Sequence, residues 1–249
     1  MKTIMIQLGN FFFRYRNQVF PAIILALFIL VPPSTEMWGS GTANLLKTAA
    51  AIAVVLAGLA LRTVVVGYAY IKRGGLNKRV YAKDLVTEGM FGVCRNPLYV
   101  GNMLVYTGIF LLHGNPLVIA IGVGLFAFMY QCIVYAEEVF LEQKFGEAYR
   151  AYCRDVPRWA LRLENFRHSI DGTTFNFKRV IAKDYSTVSA ALLAILATEM
   201  YRFAIAENLE HQRSYLLVLA ALMALVGLAT ALVSHLKKHG AFREPKTSL

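Results

Sequence analysis

Three stretches of this chain, residues 49–61, 98–112 and 215–233, hold almost no charge, and with their flanks each reaches the ~20 residues that an apolar helix needs to cross a bilayer. Hydrocarbon offers a peptide group no hydrogen-bonding partner, and an α-helix is the local structure that satisfies its own backbone. These runs therefore predict an all-α integral membrane protein. Composition agrees: the chain is 57% hydrophobic and 16% charged, with a mean hydropathy of +0.49, which excludes a soluble enzyme.

The formal charge of +11 would raise the question of nucleic acid in a soluble protein. Here 22 of the 26 basic residues fall on alternate connections between apolar runs, so the membrane accounts for them and no nucleic-acid partner is expected. By the positive-inside rule both termini and the two long loops are cytoplasmic, which requires an even number of spans, and six fits. The membrane is expected to be the plasma (inner) membrane or the endoplasmic reticulum. Cys94, Cys132 and Cys153 show no paired spacing and lie toward the reducing side, so neither disulfides nor a metal site are expected. A signal peptide over residues 19–31 is disfavoured because Pro32, Pro33 and Glu36 stand where small cleavage-site residues would be needed.

The spans are predicted at about 18–33, 46–71, 98–112, 116–136, 186–206 and 214–236. Only His113, Gly114 and Asn115 join the third and fourth, which must therefore form a tight antiparallel hairpin. Beyond it, Val139, Phe140, Phe145, Tyr149 and Tyr152 alternate with charged residues, predicting a cytoplasmic amphipathic segment along the headgroups. Four units follow: 1–45, an N-terminal span and external loop; 46–160, a core holding the chemistry; 161–185, a cytoplasmic linker; and 186–249, a C-terminal two-span hairpin with a basic tail.

Unusual residues concentrate before the third span, in Leu85, Val86, Thr87, Gly89 and Phe91 and then Arg95, Asn96, Pro97, Leu98, Tyr99, Val100 and Gly101. Because the hairpin is antiparallel, Glu137 and Glu138 at the end of the fourth span return to the same membrane surface as Arg95 and Tyr99. Polar groups converging beside an apolar hairpin describe a small-molecule pocket. Arg62 lies inside the second span without a partner in its own helix, so it must meet a polar cavity, an anionic group or a carboxylate. Glu199 is one carboxylate open to it, although Glu199 and Arg202, three apart on one helix face, are expected to pair with each other.

The Leu-Val-Thr-x-Gly-x-Phe tract, the Arg-Asn-Pro-Leu-Tyr-Val-Gly run, Asn115-Pro116, Glu137-Glu138, Phe145-Gly146, Tyr149, Tyr152 and Val156-Pro157-Arg158 together resemble the isoprenylcysteine carboxyl methyltransferase and phospholipid methyltransferase superfamily. The resemblance covers about residues 45–160. It implies an integral-membrane enzyme that uses S-adenosyl-L-methionine and takes a lipid or isoprenoid acceptor from the bilayer. Carried over by residue, it sets the cofactor against Lys83, Asp84, Leu85, Val86, Phe91, Asn96, Pro97, Leu98, Tyr99 and Glu137. Arg95 and Glu138 are expected at the reaction centre, and Arg62, Tyr152 and Arg158 at the acceptor.

Two positions depart from the family pattern. Asn96 stands where the family usually has His, which keeps hydrogen bonding without a titratable ring. Ile133 stands where the eukaryotic prenylcysteine enzymes carry an arginine. The rival readings are an NADPH-dependent membrane reductase of the sterol type, which shares an Arg-x-Pro-x-Tyr-x-Gly run, and a non-enzymatic transporter or scaffold.

Overall fold

Helix ends in this chain are set by a few local signals, clearest at the hairpin turn. Gly114 adopts φ +84°, a left-handed conformation that favours glycine, and its N–H caps the preceding helix on the Phe110 carbonyl. Asn115 then caps the next helix, its side chain accepting from the Leu117 N–H at 3.0 Å, and Pro116 occupies the first turn, where no N–H is needed. Two helices are thus reversed within two residues.

A computed structural model describes residues 2–34, 41–68, 82, 84–171, 173–205 and 209–242. Its helices are α1 (Lys2–Leu30), α2 (Gly41–Tyr68), α3 (Pro97–His113), α4 (Pro116–Phe145), α5 (Glu147–Asp155), α6 (Phe166–Ile170), α7 (Phe177–Ala204) and α8 (Leu209–Lys238), and the described residues include no strand. Five of them are long and apolar enough to cross a membrane, and α3 is a shorter apolar helix of 17 residues, about 25 Å long. The all-α membrane architecture is as the sequence predicts, with five span-length helices and the shorter apolar α3 at the six expected places.

Several bounds differ from the expected ones. α1 starts at Lys2, well before residue 18. α4 runs on to Phe145, so the first part of the expected amphipathic segment is a continuation of that helix, and Gly146 at φ +53° separates it from α5. α7 begins at Phe177, inside the stretch expected to be a linker, because Asn176 caps it by accepting from the Arg179 N–H at 2.9 Å.

The long helices alternate in direction. At one face the end of α1 meets the end of α3, the Ser34 N–H donating to the His113 carbonyl at 3.1 Å; at the other the Asn176 N–H donates to Gly67 O at 3.0 Å. α2 and α3 form the closest helix pair. A Cβ on Gly58 would stand 2.6 Å from the Gly101 carbonyl, and one on Gly101 would stand 2.7 Å from Cγ of Arg62. Small residues at this seam bring the backbones together, as in other membrane helix pairs. They also leave a channel for the arginine stem. α1 is held to the hairpin by an aromatic cluster in which Phe20 lies 4.9 Å from Phe126 and 5.3 Å from Tyr130, ring centroid to centroid. α8 packs on α7, with the Thr230 hydroxyl 2.7 Å from that of Ser189, and turns Leu217, Leu225 and Leu228 outward as a lipid-facing surface.

Candidate functional site

A cavity of about 600 Å³ lies where α1, α2, α3, α4 and α7 meet the segment before α3. That volume suits a small-molecule ligand. Phe91, Asn96, Pro97, Leu98, Tyr99 and Glu137, all expected at the cofactor, line it, as do Arg95 and Arg62.

The wall carrying the first set is built from two short segments that the sequence keeps far apart. The Arg95 N–H donates to the Pro157 carbonyl at 2.9 Å, the Asn96 side-chain amide to the Arg158 carbonyl at 3.1 Å, and the Arg162 N–H to the Val93 carbonyl at 3.1 Å. These bonds join the Arg-Asn-Pro run to the Val-Pro-Arg run. The single turn Gly89–Gly92 puts Phe91 into the cavity wall, while Met90 and Val93 pack with Val65 of α2. From behind, the Tyr152 hydroxyl donates to the Phe91 carbonyl at 2.7 Å.

Glu137 and Glu138 are neighbours on α4, about 100° apart around the helix, and so face different partners. Glu137 lines the cavity and accepts from the Tyr99 hydroxyl at 2.8 Å. Glu138 points behind the wall. Arg158 donates to it through two nitrogens at 2.9 and 2.6 Å, and Nη1 of Arg95 lies 3.1 Å away. A forked arginine–carboxylate pair is directional, so this triad fixes the Arg95 side chain at the cavity edge. Burial works against the Arg95 charge, but Glu138, with Cys153 and Tyr149, holds its pKa above the usual value. Nε of Arg95 is buried without a hydrogen-bond partner. Burial likewise pushes the Cys94 thiol and the Tyr149 hydroxyl above their ordinary ranges.

Other expected residues stand elsewhere. Asp84 is exposed, Leu85 packs with the buried cluster of α5, and Val86 packs against the Phe91 cluster; none of the three lines the cavity. Lys83 lies outside the described residues. Tyr152 and Arg158 are also absent from the lining, and both contact the wall from outside.

At the far end, Arg62 crosses the α2–α3 seam and binds α7. Its guanidinium pairs with the Asp184 carboxylate through two nitrogens, donates to Oδ1 of Asn102, and lies 3.2 Å from the Thr187 hydroxyl. The expected alternative partner Glu199 pairs instead with Arg202 at 2.5 Å. Depth explains the choice. Arg62 stands six residues before the end of α2, about 9 Å, and Asp184 seven residues after the start of α7, about 10 Å, and these two helix ends meet at one face, whereas Glu199 is about 33 Å along α7. Equal depth was the signal that could have identified Asp184. Arg16, Lys183 and Thr187 line the cavity as well and were not foreseen, because α1 and α7 lie outside the motif-bearing stretch; Asn102, Tyr106 and Tyr130 lie within it on α3 and α4 but belong to none of its motifs.

Residues 46–148 match the phospholipid methyltransferase family. Over 100 residues the chain is 35% identical to the cobalt-zinc-cadmium resistance protein CzcN of Cupriavidus metallidurans, covering 39% of this chain and 46% of that protein. It is 26% identical over 160 residues to the nickel-cobalt-cadmium resistance protein NccN of Alcaligenes xylosoxydans xylosoxydans, covering 64% and 71%. The match thus spans about half the length of the first of these relatives. No solved structure matches.

Proposed function

We propose that this chain, whose segment 46–148 matches the phospholipid methyltransferase family, is a membrane methyltransferase that uses S-adenosyl-L-methionine from the cytoplasm and a lipid-like acceptor from the bilayer. The observation that carries the reading is one cavity wall on which an acidic side chain, Glu137, stands beside aromatic faces from Phe91 and Tyr99. Aromatic faces favour a sulfonium cation, and a carboxylate accepts charge-assisted hydrogen bonds from an amino-acid ammonium. The buried, unpartnered Nε of Arg95 at the same edge offers a donor to an anionic group. The residues present therefore fit the cofactor.

When bound, S-adenosylmethionine supplies a methyl carbon on cationic sulfur, and the acceptor's lone pair forms the new bond as the carbon–sulfur bond breaks and sulfur keeps the electron pair. The work left to the protein is positioning. Glu137, fixed by Tyr99, orients the cofactor end; Arg95, fixed by Glu138 and Arg158, marks the boundary with the acceptor; the packed aromatic cluster of α1 and α4 limits water. Asn96 serves this wall through its bond to the Arg158 carbonyl, a role that needs no titratable ring.

Calorimetry on the purified full chain with S-adenosylhomocysteine and with NADPH tests the reading. Binding of the first alone is expected; binding of NADPH alone would replace methyl transfer with reduction.

A further inference from the structure

The cavity has a second end whose walls come from α1 and α7, both outside the family-matched segment. Arg16 of α1 and Lys183 of α7 line it, and neither forms an ion pair with an acidic side chain among the described residues. The Arg16 guanidinium lies over the Phe13 ring, 4.8 Å from its centroid. Arg62 at this end is already neutralised by Asp184. Of the other charged side chains in the lining, Arg95 is paired with Glu138 and Glu137 stands beside Tyr99, so the positive charge between α1 and α7 is carried by Arg16 and Lys183, with the hydroxyl-bearing Ser186 and Thr187 one turn along α7. Positive charge concentrated in a cleft with apolar walls selects an anion.

This end of the cavity opens between two of the long helices. Asn17, Pro21, Ser186 and Ala190 all line the cavity and are exposed, so the space opens sideways between α1 and α7. Toward the other membrane face, Phe28 of α1 and Val188, Ala194 and Ile195 of α7 pack against one buried cluster of Val55, Leu59, Val105, Ile109 and Ala191. Lys183 is itself exposed at this opening and Arg16 is partly so, beside the apolar Pro21 and Ala190, so a ligand there meets cations and apolar surface together.

We infer that α1 and α7 form a subsite for an anionic amphiphile, with Arg16 and Lys183 gripping the anionic head, Ser186 and Thr187 beside it, and the tail leaving between the two helices. The subsite rests on the methyl-transfer reading only for what becomes of the amphiphile, not for its binding. Arg62 is then a positioning residue: by holding Asp184 it sets Lys183 and Thr187 at the cavity.

The test is a set of calorimetric titrations of the full chain in a neutral maltoside detergent with dodecyl phosphate, dodecylphosphocholine and inorganic phosphate, and separately with S-adenosylhomocysteine. Dodecyl phosphate is expected to bind more tightly than either comparison ligand. The double change Arg16→Gln, Lys183→Gln should weaken it at least about tenfold, one charge-assisted hydrogen bond's worth, while S-adenosylhomocysteine binding is unchanged and Lys183→Arg retains the affinity. Equal affinity for dodecyl phosphate and dodecylphosphocholine in the wild-type protein overturns the anionic head, and does so without any variant. Equal affinity for inorganic phosphate overturns the tail route, and an unaffected double variant overturns the two named cations. A wild-type protein that binds dodecyl phosphate but not S-adenosylhomocysteine would end the methyl-transfer reading and leave the subsite standing.

Discussion

Replacing Asp184 by asparagine removes one charge from a pair that joins α7 to the rest of the helices. Only 1% of the Asp184 side chain and 11% of Arg62 are exposed, so the guanidinium left behind has little access to water. Breaking a buried pair by removing one partner costs about 3–5 kcal/mol. The asparagine side chain keeps one acceptor oxygen, and Asn102 and Thr187 still face Arg62, so the low end, about 3 kcal/mol, is expected. For a chain of this size that lowers the melting temperature by roughly 6–12 °C. Melts of the detergent-solubilised protein provide the measurement. A second variant separates clamp from charge: Arg62→Met with Asp184→Leu, an apolar pair, should regain most of the stability, because apolar replacement of a buried ion pair is commonly neutral or stabilising. Glu199→Gln should not rescue Arg62→Met. An Asp184→Asn protein that melts within about 2 °C of the wild type would refute the clamp.

Glu137→Ala should weaken S-adenosylhomocysteine binding by about 1.5–3 kcal/mol, the value of a hydrogen bond to a charged group, measured by calorimetry; unchanged affinity in a folded protein would remove Glu137 from the cofactor end. Glu138→Gln should free Arg95 and Arg158 together, so a double-mutant cycle with Arg158→Gln should show coupling near ~1–3 kcal/mol rather than additivity. The Cys94 thiol, pushed up by burial, yields thiolate only at higher pH than an ordinary cysteine, so its maleimide labelling should lag that of half-exposed Cys153 at neutral pH and rise as pH increases; equal rates would contradict the packing. Reporter fusions after Asn115 and Asn208 should read as external, with both termini cytoplasmic; an internal signal at Asn208 would reverse the last helix.

The long apolar helices and the tight hairpin were legible in the sequence, though not the starts of α1 and α7 or the end of α4, because apolar run length and the short His113-Gly114-Asn115 connection act locally and hydrocarbon leaves few alternatives to a helix. The Glu137 side of the cavity was legible for a related reason. An antiparallel hairpin of known length must return Glu137 to the level of Tyr99, and a structure was not needed to put them on one membrane face. Which glutamate faces the cavity was not, since neighbours on a helix diverge by about 100° and only the packing of α4 decides the direction. The partner of Arg62 was likewise left to tertiary structure. Sequence showed that a mid-span arginine needs a polar neighbour, but Asp184 lay in a stretch whose charge density resembled a linker, and only the docking of α7 against the Gly58–Gly101 seam brings it to the same depth. The cations Arg16 and Lys183 belong to the same case: far apart in the chain and carrying no motif, they become one site because two helices that begin at the same membrane face lean on different sides of the same hairpin.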